Sequence, residues 1–120
     1  MEFKGGYFDY EMLDAMKVIR QALVLGEALA EKLPGGHANL KDQFRRALSS
    51  AYLQTAEGAS RTGKERVARY RGAKSESSET AACLDAVLIL KLAPKEEVDA
   101  ILDLLRRYCA MMTGLMKVRC

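Results

Sequence analysis

The chain has 120 residues, 49% hydrophobic and 29% charged, a balance that suits one globular domain with a single core and excludes a disordered polymer. No uncharged run approaches the roughly 20 residues of a membrane-spanning helix, and Met1 to Tyr10, with Glu2, Asp9 and two glycines, lacks the pattern of a secretory leader. A bacterial-type cytoplasmic protein is expected, with its net charge of +3 unevenly spread: residues 41–74 hold nine basic and three acidic side chains, whereas both flanks are slightly acidic.

The first helix is expected from Asp9 to Lys32, with Met12, Met16, Ile19, Leu23, Leu29 and Leu33 tracing one face. Leu33-Pro34-Gly35-Gly36 stops it. A second helix follows, capped by Asn39, with Leu40, Phe44, Ala47, Leu48, Ala51 and Thr55 as its stripe. It is expected to end at Glu57-Gly58, glycine being favoured just past a helix end. The third helix runs from about Lys64 to Leu92. Val67, Tyr70, Ala73, Ser77, Ala81, Leu84 and Leu88 keep helical spacing across the small, polar segment Ser75 to Ser78, which favours close approach of a facing helix, its serines bonding back to the preceding turn; the alternative is a weak stretch of helix. Pro94 at the first helical position, with Glu96 and Glu97, opens a fourth helix carrying Val98, Ile101, Leu105, Tyr108, Met112 and Leu115.

No segment alternates as a strand does, so the fold class is all-α: one antiparallel up-down-up-down four-helix bundle over residues 1–120. Leu13, Leu25, Leu53, Val87, Ile89, Leu90, Leu104 and Met111 widen the stripes beyond what a solitary bundle buries, which points to a subunit interface.

A catalytic or metal site needs convergent groups, and none is legible. His37 is the one histidine and sits in a glycine-rich turn. Neither a paired Glu-x-x-His element, a P-loop nor a nucleophile elbow occurs. The three cysteines, Cys83, Cys109 and Cys120, lack metal spacing, and the first two fall on apolar faces as small hydrophobes. The chain is therefore expected to be no enzyme and to need neither cofactor nor metal.

The distinctive content is basic. Arg45, Arg46, Arg61, Lys64, Arg66 and Arg69 are the candidate phosphate contacts, since guanidinium groups bind phosphate through paired hydrogen bonds. A solvated face with internal ion pairs is the competing reading. Arg71 and Lys74 form a further cation pair, and Tyr70 is the one aromatic among these cations, so base stacking would contribute little. Glu57 before Gly58 reads as a structural clamp on the turn, answered by Arg45, Arg46 or Arg61.

The string Gln43-Phe44-Arg45-Arg46-Ala47 to Ser50, then Ala56-Glu57-Gly58, Arg61 and Lys64-Glu65, resembles the bacterial four-helix-bundle proteins first noticed in intervening sequences of large-subunit ribosomal RNA genes. Ala73, Glu79 and the leucine-rich last helix extend the likeness over nearly the whole chain, while Tyr52 and Gln54 stand where that family usually has proline and asparagine. The resemblance implies a homo-oligomeric ring, commonly a homopentamer. Through the related accessory variability determinant proteins of diversity-generating retroelements, it also implies RNA or DNA binding on a basic surface and contact with a reverse transcriptase. The label "ribosomal protein" carried by such families reflects gene position rather than ribosome membership. The expected function is that of a non-enzymatic accessory protein binding nucleic acid, the alternative being a protein-interaction or assembly module.

Overall fold

Helix-forming side chains and well-placed breaks divide the chain into α1 (Asp14–Lys32), α2 (Ala38–Ala59), α3 (Gly63–Ile89) and α4 (Lys95–Lys117). The computed structural model describes residues 13–117 and, within them, no strand. Each helix packs against its chain neighbour, and α1 also packs against α4, while the backbones of the diagonal pairs α1/α3 and α2/α4 stay apart. This is the four-cornered, up-down-up-down bundle, 44 Å long and 27 by 21 Å across.

Most of each expected stripe is buried: Phe44, Ala47, Leu48, Ala51 and Thr55 of α2, and Val98, Ile101, Leu105, Tyr108 and Met112 of α4. Removing one large apolar side chain of this kind from water contributes about 1.5–3 kcal/mol, so these stripes hold the bundle together. On α1 the core face runs through Met16, Ala22, Gly26 and Leu29, and Leu23 is only half-buried. On α3 it runs through Tyr70, Ala73, Ser77, Thr80, Leu84 and Val87. The close approach expected around Ser75 to Ser78 is present: Ser77 is fully buried, and both Ser77 Oγ and Ser78 Oγ donate to the Lys74 carbonyl, at 2.7 and 3.3 Å. Small residues on both sides, among them Ala47, Ala51, Gly58, Gly72 and Ala73, make α2 and α3 the most intimate pair.

Boundaries differ from the expectation in five places, one of them the end of α2, which runs on through Gly58 to Ala59. Leu13 is extended and α1 opens at Asp14, so the start at Asp9 is too early; residues 9–12 and Met12 lie outside the described residues. His37, not Asn39, holds the N-cap position of α2, and no side chain caps that end. The Val98 amide donates to the Pro94 carbonyl, which puts Pro94 just before the first helical residue. At the close of α3, Leu92 N–H reaches Val87 O at 2.9 Å and Lys91 N–H reaches Leu88 O at 3.1 Å, ending the helix at Ile89 rather than Leu92. Lys91 there has φ 56°, the left-handed region usually left to glycine, which costs a side-chain-bearing residue about 1–2 kcal/mol.

Of the surplus apolar residues, Val87 and Leu104 are buried within the monomer, and Leu13 and Met111 are half-buried. Leu25, Leu53, Ile89 and Leu90 remain exposed, together with Val24.

Candidate nucleic-acid interface

Antiparallel order sets the α2–α3 turn beside the start of α1 and the close of α4. Lys17, Arg61, Lys64, Arg66, Arg69 and Lys117 occupy this end, opposed by Asp14, Glu57 and Glu65. At the other end Glu27, Glu31, Asp42, Asp85, Glu96, Glu97 and Asp99 outnumber Lys32, Lys41, Arg45, Lys91 and Lys95. The bundle is thus electrostatically polar along its axis, with cations in surplus where α2 turns into α3.

The six candidate cations do not form one cluster. Arg61, Lys64, Arg66 and Arg69 gather at the turn, whereas Arg45 lies about 20 Å back along α2 at the 1.5 Å rise of a helical residue. Arg45 clasps Glu27 of α1 in a two-pronged pair, Nη2–Oε1 2.6 Å and Nε–Oε2 3.0 Å. That hydrogen bond raises the guanidinium pKa beyond its already high value. Arg46 bridges two carboxylates of α3, Glu79 at 2.8 Å and Glu76 at 3.5 Å. Glu76 Oε2 is buried without a hydrogen bond among the described residues, so Arg46 is what balances its charge. Solvent screens these pairs, yet locally they cancel the charge a phosphate would meet.

Around the turn, Glu57 takes Arg69 as its partner, Oε2–Nη1 3.3 Å. This corrects the expected clamp to Arg45, Arg46 or Arg61: nearly two turns into α3, Arg69 is the cation that antiparallel packing brings to Glu57. Gly58 is likewise not past the helix end but inside α2 and buried, and the ring of Tyr70 occupies the space its side chain would fill. Arg66 reaches back to the end of α2, donating from Nε to Gly58 O at 3.2 Å and from Nη2 to Ala59 O at 3.1 Å. Ala59 O at the open helix end thereby gains a charged donor, while Gly58 O accepts from Arg66 as well as from the Arg61 N–H at 3.0 Å. Arg66→Met is expected to lower stability by roughly 1–2 kcal/mol in urea denaturation. An unchanged midpoint would show that water replaces the guanidinium at no cost.

Arg61 and Lys64 differ from the other four. Both are exposed, and neither side chain has a hydrogen bond or ion pair among the described residues. Arg61 edges a shallow depression with Gln54, Glu65, Ala68 and Arg69. Sequence reading did not group Lys17 or Lys117 with this end, because both are remote in the chain from the α2–α3 turn. Lys74 turns instead to Thr113 of α4, Nζ–Oγ1 2.7 Å.

Burial, and then the charge of Glu79, raises the pKa of the Cys83 thiol, which favours the unreactive protonated form. Cys109 is half-buried with Sγ 3.0 Å from Ser77 Oγ, and Cys120 lies outside the described residues. Among the described residues no three His, Cys, Asp or Glu side chains converge on a metal position, and no helix is long and apolar enough to cross a membrane.

Residues 14–114, from the first residue of α1 to the last turns of α4, match the family described as 23S rRNA-intervening sequence protein. The chain belongs to that family. Among solved structures, the chain is similar to a protein of unknown function from the S23 ribosomal protein family of Bacteroides thetaiotaomicron VPI-5482, whose crystal structure was determined at 1.70 Å. The TM-score is 0.79 over 87% of this chain and 99% of that one; at 14% identity the likeness is one of fold. No curated protein matches the chain. The matched region takes in Arg45, Arg46, Arg61, Lys64, Arg66 and Arg69.

Proposed function

We propose that this protein is a non-enzymatic, homo-oligomeric accessory protein that binds nucleic acid by its positively charged end. Arg61 and Lys64 carry the reading: they are exposed cations without a carboxylate partner among the described residues, beside the α2–α3 turn. Arg69 joins them by exchanging Glu57 for a phosphate, and Arg66 holds the turn in place. Arg45 and Arg46, answered by Glu27, Glu76 and Glu79, add to the field more than to direct contact. Phosphate contacts of this kind are tolerant of sequence and sensitive to salt. Support of a reverse transcriptase is the cellular setting that the resemblance to retroelement accessory proteins suggests.

Titration of RNA and duplex DNA at several salt concentrations tests the proposal. Charge reversal in Arg61→Glu/Lys64→Glu is expected to weaken binding at low salt by about tenfold or more, and to reduce the salt slope by about 2. Arg45→Glu is expected to do much less. Absence of binding at low salt, or equal binding by the Arg61/Lys64 variant, would overturn the nucleic-acid role. The second reading, an assembly module without nucleic acid, is favoured by the exposed Val24, Leu25, Leu53, Ile89 and Leu90, and would then stand alone.

A further inference from the structure

Two apolar patches stand at the acidic end of the bundle, on different sides of it. The first is a groove between α1 and α4, floored by Leu25, Ala28, Leu29 and Ala100 and rimmed by Lys32, Glu96 and Glu97. Leu25 is 42% exposed, and Val24 next to it 70%. The groove holds about 320 Å³, the lower limit of small-molecule sites but ample for aliphatic side chains. Lys32 is already paired with Glu97 at 3.2 Å, so Glu96 leaves the rim negative.

The second patch is the tip where α3 ends. Ile89 is 78% and Leu90 51% exposed, and Lys91 follows them in the left-handed conformation. α3 is diagonal to α1, so the tip cannot fill its own chain's groove.

We infer that Ile89 and Leu90 of one copy seat in the α1–α4 groove of a second copy, with Lys91 against Glu96. Apolar tip matches apolar groove, and the tip's cation matches the acidic rim. The contact joins two different patches and is therefore heterologous. Because both patches lie at one end of the bundle, the contact joins neighbouring copies at that end. The inference rests on the homo-oligomer part of the proposed function and names the surfaces that make it.

Light scattering and sedimentation of the full chain test it. The wild type is expected to exceed the 13.3 kDa of a single chain. Leu25→Glu and Ile89→Glu, surface changes whose folding is checked by circular dichroism, are each expected to weaken association by about tenfold or more. Mixing those two variants is expected to yield two-chain complexes, since each retains the patch that the other lacks. Lys91→Glu weakens association, and adding Glu96→Lys restores it to within about threefold of wild type. A monomeric wild type would overturn both this contact and the oligomer in the proposed function. A wild-type oligomer that Leu25→Glu and Ile89→Glu leave intact, or a mixture that forms no complex, overturns this contact alone.

Discussion

Gly58→Ala is expected to destabilise the bundle by about 1–3 kcal/mol, although alanine is the better helix former by nearly 1 kcal/mol. A Cβ at position 58 would stand 2.6 Å from two ring carbons of Tyr70 and 3.2 Å from Cβ of Arg69. Tyr70 is only 3% exposed, and a rigid buried ring cannot step aside as the end of a leucine can. Gly114→Ala supplies the contrast, since no atom lies within 4 Å of its added methyl and α4 would gain propensity, by roughly 0.5–1 kcal/mol. Urea denaturation of both variants, and of Gly58→Ala in a Tyr70→Ala background, reads the effect. The double variant should lose less than the sum of the two single losses. A Gly58→Ala protein more stable than wild type would show that α2 and α3 can part at the turn without cost.

The second large effect lies at the centre of the bundle. Tyr108 is the largest fully buried side chain, and its hydroxyl meets Thr55 Oγ1 across the diagonal from α4 to α2. Thr55 Oγ1 also donates to Ala51 O at 2.7 Å, which uses its single proton, so Tyr108 is the donor and Thr55 the acceptor. Thr55→Val strands the phenol hydroxyl in the core and is expected to cost about 1–3 kcal/mol. Tyr108→Phe removes donor and demand together, leaves Thr55 bonded to Ala51, and is expected to cost about 1 kcal/mol or less. Equal losses would mean that the hydroxyl has another acceptor.

The same phenol gives the fold an alkaline limit. Burial raises the pKa of Tyr108 well above the ordinary 10.0, against the smaller opposing effect of Thr55. The folded protein therefore keeps a proton that the unfolded chain releases. Stability from this group is full below pH 10 and declines above it, with a slope of about 1.4 kcal/mol per pH unit. Denaturant midpoints measured from pH 9 upward should fall less steeply in Tyr108→Phe than in wild type. Parallel curves would assign the alkaline loss to other groups.

Both predictions turn on pairs that meet only through folding, which marks the limit of what the sequence alone determines. Helix number, the Pro34-Gly35-Gly36 break and the stripes of α2 and α4 are legible in the sequence, because periodicity and turn chemistry act over a few residues. Close packing at Ser77 follows from side-chain size in the same way. Helix ends were less legible: Asn39 suits an N-cap, but the chain turns at His37.

Charge partners were not legible. Arg45 and Glu27 are 18 residues apart, Arg46 and Glu79 33, and Lys32 and Glu97 65, so each pairing depends on how far one helix slides along the next. Sequence placed the basic block mid-chain; only the antiparallel packing spends Arg45 and Arg46 on carboxylates and brings Lys17 and Lys117 to the end where Arg61 and Lys64 stand. Exposure follows the same logic, since Val87 and Leu104 find room in the core while Ile89 and Leu90, just past the last core turn of α3, do not. Periodicity decides which face of each helix is apolar, but the register between helices decides what that face meets.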